Sequence, residues 1–140
     1  MRDIEFRGKR ESDGKWIYGY LSDINEISNV NEVAMPREEV DEFTIGQWTG
    51  LYDIDSNKIF EGDIVREVES GVIGYVVFLK QEMGYVIVWE KSDSRLGHRN
   101  RGGGYDWDDS IEVIGNIIDN DDIIKNAWGS RYFVKSTLQN

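Results

Sequence analysis

The sequence has no cysteine, which removes disulfides, thiolate nucleophiles and cysteine-based zinc sites together. A fold without such staples rests on packing, and the composition fits a reducing compartment. There is a single histidine, His98, and a single proline, Pro36. One imidazole without cysteine partners makes a poor zinc site, and a Ser-His-Asp triad would depend on that one residue, set among Gly and Arg in an expected loop. Long hydrophobic runs are missing as well. The longest, such as Tyr75 to Leu79, are strand-sized and far short of the ~20 residues a membrane helix needs. Met1 to Arg7 mixes charged and apolar residues and never opens into a signal-peptide core. A cytoplasmic protein with no membrane contact is expected. No glycine run sits between a strand and a helix at the spacing of a phosphate loop or dinucleotide fingerprint, so no cofactor is expected.

Positive charge is also scarce: 16 Lys and Arg stand against 27 Asp and Glu, a net charge of −11 over 140 residues. That sign repels phosphate backbones and works against the counterion release that drives most nucleic-acid binding, so direct binding to nucleic acid is not expected. The acidity does not imply disorder, because the chain holds five Trp, seven Tyr and five Phe, residues that disordered acidic chains lack. A chain of this size can bury about 68–70% of its unfolded surface. It suits one domain or two small lobes.

Turn signals punctuate short apolar segments throughout. Ile4 and Phe6 alternate with charges, Asp13-Gly14 supplies a turn, and Trp16 to Leu21 follows as the second arm of a hairpin. By the two-residue period Trp16, Tyr18 and Tyr20 share one face, with Ile17 and Leu21 on the other. Both faces are apolar, which predicts a strand covered on both sides that joins the two halves of the molecule. Residues 23–42 carry seven acids against the one base Arg37 and read as a connector. A short strand is expected around Val30 to Met35, ended by Pro36, with a helical turn over 37–42.

Residues 44–65 are the most ordered in their punctuation, with glycines at 46, 50 and 62 between short apolar runs. Glu61-Gly62-Asp63 reads as a turn into Ile64-Val65. Turns at Ser70-Gly71 and Glu82-Met83-Gly84 precede the runs 72–79 and 85–89, the spacing of a β-meander, which curls readily into a small barrel. A polar stretch from Glu90 to Gly104 reads as a mobile hairpin loop. A last strand over 111–118 follows, and Asn120-Asp121-Asp122 suits the start of one short helix ended by Gly129.

Few residues invite a chemical reading. Asp53-x-Asp55-x-Asn57 opens like a calcium-binding loop, but Lys58 stands where a sharp bend needs glycine and Ile64 where a bidentate Glu belongs. A hairpin tip is expected instead, since Asp, Ser and Asn bond nearby backbone groups in turns. The carboxylates Asp106, Asp108 and Asp109 lie close in sequence, as composition alone would place them, and no catalytic pair can be singled out. The one reversal of charge is a loop with Arg95, His98, Arg99 and Arg101, followed by Tyr105 and Trp107. It could grip phosphate or the acidic face of a partner, with the rings free to stack, or it could simply pair with the protein's own carboxylates. These six residues are the candidate interaction loop.

Phe6 to Arg10, Gly14 to Leu21, Gly46-Gln47-Trp48-Thr49-Gly50-Leu51, Glu61-Gly62-Asp63-Ile64-Val65, Val76 to Phe78 and Glu112 to Ile117 together resemble the YopX family of phage and prophage proteins. The blocks at 46–51 and 61–65 are the specific ones. The resemblance implies an SH3-like small barrel in the C-terminal part; with the hairpin and helix read above, the expected fold is mainly β, with an N-terminal β-hairpin region and one short C-terminal helix. The chain is read as an N-terminal β region and acidic connector (1–43), the barrel region (44–128) and a tail (129–140). The sequence departs from family habit at Asp55-Ser56-Asn57, where a glycine turn is common, and at Asn120-Asp121, where Asn-Pro is common. The family brings no catalytic or binding residues to carry over. The expected function is that of a non-catalytic phage accessory module that binds a protein; the apolar patch Tyr132-Phe133-Val134 has two open readings, docking on the body of the protein or on a second copy. The alternative is an acidic mimic of DNA, or another nucleic-acid-related regulator, acting on a host protein.

Overall fold

The computed structural model describes residues 4–31, 36–96 and 108–129. The described chain is mainly β, with one short α-helix. It divides into two compact units, residues 1–50 and 51–140. Strand β5 (Gly46–Tyr52) runs across the division.

In the first unit, β1 (Phe6–Lys9) and β2 (Trp16–Asp23) form the expected hairpin, with Arg7 opposite Tyr18 and Lys9 opposite Trp16. Gly14 closes it at φ +74°, a conformation costly for any residue with a Cβ. β3 (Glu26–Asn29) pairs with β2, β4 (Arg37–Glu39) pairs with β3, and β5 pairs with β1 through Gly46 and Gln47. The order in the sheet is β4-β3-β2-β1-β5, and β6 (Lys58–Phe60) is the next neighbour of β5. Ile17, Ile27 and Val40 are buried together, with Phe6 and Ile45 against them. These side chains occupy one face of the sheet.

Three expectations for this unit change. The strand at 16–21 is not covered on both faces, because Ile17 is buried while Tyr20 is 49% and Leu21 40% exposed. It does not join two halves either, since both its neighbours, β1 and β3, lie in the first unit. Residues 37–39 are a strand and not a helical turn. Glu38 explains why: its carboxylate accepts from Arg10 Nη1 and, at 2.6 Å, from Asn29 Nδ2, which fastens β4 to the sheet. The helical geometry is delayed to a single 3-10 turn at Glu42–Thr44, where the Asp41 side chain accepts from Phe43 N. The segment expected to hold a strand ending at Pro36 falls largely on residues 32–35, outside the described residues; β3 itself ends at Asn29.

In the second unit, β7 (Asp63–Glu67), β8 (Ile73–Leu79) and β9 (Gly84–Trp89) are the expected meander. β10 (Asp93–Arg95) and β11 (Ile111–Asn116) extend it to a five-stranded antiparallel sheet in the order β10-β9-β8-β7-β11. The start of the expected polar loop is therefore a strand, because residues 93–95 pair with Val86 to Val88. The sheet is open, with β10 and β11 as its edges, and the described residues form two antiparallel sheets and not the closed barrel that the meander spacing suggested.

The pleat sorts this sheet into two cores. Val65, Val76, Ile87, Trp89 and Ile111 point to one side and pack with Leu51, Ile59 and Leu96. Ile64, Tyr75, Val86 and Val88 point to the other and pack with Ile124 and Trp128. Those last two belong to α1 (Asp121–Trp128), whose apolar positions recur one turn apart, and Trp128 Nε1 donates to Ile73 O at 3.0 Å. Gly129 stops the helix as expected, with φ +63°. Asn120 precedes the helix but does not cap it through its side chain; its Oδ1 instead accepts from Asn116 N at 3.2 Å.

Gly19 gives a direct test of the first sheet. A Cβ there would lie 1.7 Å from Ser28 O, a backbone atom of the paired strand, and nothing flexible can yield. Gly19→Ala is expected to cost about 3 kcal/mol or more through displaced backbone. Urea unfolding of that variant, followed by Trp fluorescence, measures the loss.

Candidate functional site

The segment that opens like a calcium loop is a hairpin tip. Asp53 N donates to Asn57 O at 2.8 Å, Ser56 N to Asp53 O at 3.0 Å, and Ser56 takes φ +68°. The Asp53 side chain is fully buried. Its Oδ1 accepts from Asp55 N at 2.9 Å and Asn57 N at 2.8 Å, and its Oδ2 from Val113 N at 2.7 Å on β11. A carboxylate so surrounded by amide donors is a structural clamp, with its charge balanced by N–H dipoles. Among the described residues, no group of three or more His, Asp or Glu side chains is placed to hold a metal ion.

Asp108 is a second clamp. It is buried, and its Oδ1 accepts from Ser110 N at 3.0 Å and Ser110 Oγ at 2.6 Å, while its own N–H donates to Tyr52 O. Asp109 is exposed, and Asp106 lies outside the described residues.

Of the candidate loop, only Arg95 is described; His98, Arg99, Arg101, Tyr105 and Trp107 lie outside the described residues. Arg95 sits in β10 and its Nη2 donates to Glu82 O at 3.0 Å and Glu82 Oε2 at 2.9 Å. Strand pairing sets its position and an acid of the same chain holds its guanidinium.

A cleft that no motif announced lies in the second unit. It has a volume of about 400 Å³ and is lined by Glu67, Val72, Trp89, Glu90, Lys91 and Ser92. Two tight turns make its walls. In the β7–β8 turn, Glu67 N donates to Val72 O and Ser70 Oγ to Glu67 Oε1 at 2.7 Å. In the β9–β10 turn, Trp89 N donates to Ser92 O at 2.8 Å. The indole between them is fixed twice. Its Nε1 donates to Ser94 Oγ at 2.8 Å, and Gly74 leaves the space it needs, since a Cβ on Gly74 would stand 2.7 Å from Trp89 Cε3.

Residues 5–125 match the family described as YopX protein. The chain belongs to the YopX family. The match covers the blocks at 46–51 and 61–65 and both units. This YopX chain is also similar in fold to the crystal structure of protein EF1440 from Enterococcus faecalis, at 20% identity and a TM-score of 0.53, over 89% of this chain and 99% of that one. No curated protein matches the sequence. Among the described residues, no helix is long and apolar enough to cross a membrane.

Sequence reasoning missed the cleft because its walls are ordinary turn and strand-end residues, brought together only by the pairing of β7, β8 and β9. The available signal was Gly74, an isolated glycine inside a strand pattern, which marks a close approach.

Two measurements test this assignment of roles. Asp53→Ala is expected to lose about 2–4 kcal/mol, as buried amides are left without their acceptor. The loss should be the same with and without calcium, and exchange of the Val113 amide should accelerate. Tyr85, half-buried at the end of the sheet, has its phenol pushed up to about 12, first by burial and then by the charge of Glu61. A raised phenol pKa contributes stability that is present below the ordinary value of about 10 and is lost as pH rises through the folded value. Ultraviolet titration of the folded protein should show a tyrosinate forming near pH 12 that Tyr85→Phe removes.

Proposed function

We propose that this chain is a non-catalytic protein-binding module, an accessory protein of phage or prophage origin. The observation that carries the reading is the far end of the β2–β3 hairpin. Beyond Gly19, three apolar side chains of this hairpin are exposed: Tyr20, Leu21 and, at 71%, Ile24 at the tip. Singly scattered apolar residues are normal on a surface; here three project from one hairpin end, Tyr20 and Leu21 from opposite faces, as a partner gripping that end from both sides would use. Tyr20 is well suited to such a role, since its ring packs while its hydroxyl stays wet.

The buried acids support binding over catalysis. Asp53 and Asp108 spend their oxygens on backbone and serine donors of their own turns, which leaves them as braces and not as proton-transfer groups. The layers around Leu51, Val65 and Ile111 are compatible with an SH3-like arrangement, and such folds often present binding surfaces; this support is analogy of fold alone.

The test places a photo-crosslinking phenylalanine derivative at Ile24 and, as control, at Asn126, exposed on α1 in the second unit. Irradiation in cells expressing the protein is expected to trap one protein species from position 24, another protein or a second copy, and none from position 126. Tyr20→Ser combined with Leu21→Ser should abolish the adduct while the folded signal persists. Equal labelling from both positions, or no adduct from position 24, rejects the reading.

A further inference from the structure

We propose that the end of the first unit where the β2–β3 hairpin meets the 3-10 turn inserts Ile24 and Phe43 into an apolar pocket of a partner protein whose rim carries Lys and Arg. The proposal rests on the reading of the hairpin end as an interface and names the chemistry of what it meets.

The second anchor comes from another part of the sequence. Phe43 is 85% exposed, more than Ile24. Val40 N donates to Asn25 O at 2.8 Å, which ties the residue after Ile24 to the strand end that leads into Asp41, Glu42 and Phe43. Two exposed apolar side chains are thereby brought to one end of the unit.

Both are held in place. Asp23 Oδ1 accepts from Ile24 N at 2.7 Å, and Asp41 Oδ1 accepts from Phe43 N at 3.1 Å. The turn beneath Phe43 is fastened to β1: Thr44 Oγ1 donates to Asp41 O at 2.6 Å and accepts from Lys9 N at 2.8 Å, and Asp41 N donates to Lys9 O at 2.8 Å. Backbone fixed in this way needs little further ordering when a partner closes on it. An aromatic side chain on such a braced turn is suited to fill a pocket.

Charge identifies the partner. Asp23, Glu39, Asp41 and Glu42 are exposed, and each stands within two residues of the Asn25–Val40 bond. Residues 21–27 and 39–44 contain no Lys or Arg. The neighbouring bases are engaged elsewhere: Arg10, bridged to Val40, pairs with Asp13 and Glu38, and Lys9 Nζ lies 5.4 Å from the centroid of the Trp16 ring. An apolar centre with a polar rim is the anatomy of an interface, and a rim of one sign selects a rim of the other.

The experiment moves the photo-crosslinking phenylalanine derivative to position 43, where it replaces a ring with a ring, and compares the adduct with that from position 24. Both positions are expected to trap the same protein, through partner peptides that carry Lys or Arg beside an apolar attachment point. Phe43→Ser should lower the yield from position 24 about tenfold, the scale of a lost aromatic anchor, and E39Q/E42Q about fivefold, the scale of two rim ion pairs. In cleared extract, about 1 M salt should remove most of the difference between E39Q/E42Q and the unsubstituted chain. Both variants should keep the urea midpoint of the unsubstituted chain, since the altered side chains are exposed. The proposal is overturned by a different species or none from position 43, by an acidic partner peptide, by a second copy of this chain as the trapped species, or by undiminished yield in E39Q/E42Q. An adduct from position 24 with none from position 43 overturns it while the hairpin reading stands, so the two fall separately.

Discussion

The buried carboxylate of Asp53 is the interaction on which the second unit turns. Three backbone amides converge on it, two from its own hairpin tip and one from Val113, sixty residues later in the chain. Burying a carboxylate is costly unless its lone pairs are satisfied, and here amide donors replace the lost water. The result is a local turn and a long-range tether made by the same group. Ile54 N donates to Ile111 O beside it, so the β5–β6 hairpin is registered against β11. Leu51 and Ile59 are thereby held over Val65, Val76 and Ile111, and that side of the sheet is sealed.

The other side is sealed differently. The same strands that feed Val65 and Val76 to one core feed Ile64 and Tyr75 to the other, because successive side chains alternate across a pleated sheet. Helix α1 covers that second face, with Trp128 tilted against Tyr75 at 5.6 Å between ring centroids. A sheet apolar on both faces requires a layer on each, and one short hairpin plus one short helix supplies them. The arrangement also fixes the cleft: with β8 between β7 and β9, the turns at its end must stand side by side, and the glycine at 74 lets the indole of Trp89 lie between them.

In the first unit the sheet has one small core, around Ile17, Ile27 and Val40, and its hairpin runs past that core. The apolar residues beyond it gain nothing from burial in the described chain. Apolar side chains are left at the surface on the hairpin end of this unit, while the buried acids Asp53 and Asp108 of the other unit serve as braces.

Turns and strand boundaries were legible in the sequence because they depend on neighbouring residues alone. Asp13-Gly14, Gly62 and Gly71 each fall in a turn with positive φ, and the meander from Ile64 to Trp89 lies where its apolar runs lie. Family membership was legible for the same reason, in the order of those blocks. Residues 37–39 were not, because what makes them a strand is the reach of Glu38 to Arg10 and Asn29. Nor was the role of Asp53, whose decisive partner is Val113, nor the exposure of Tyr20 and Leu21, whose apolarity says nothing of where the core ends. The sequence by itself determined the periodicity, punctuation, net charge and kinship of this protein, all properties of near neighbours or of sums over the chain. Only the tertiary structure decided that the sheets stay open, which acids are braces and which line a cleft, since those depend on contacts between residues that pairing brings together from far apart.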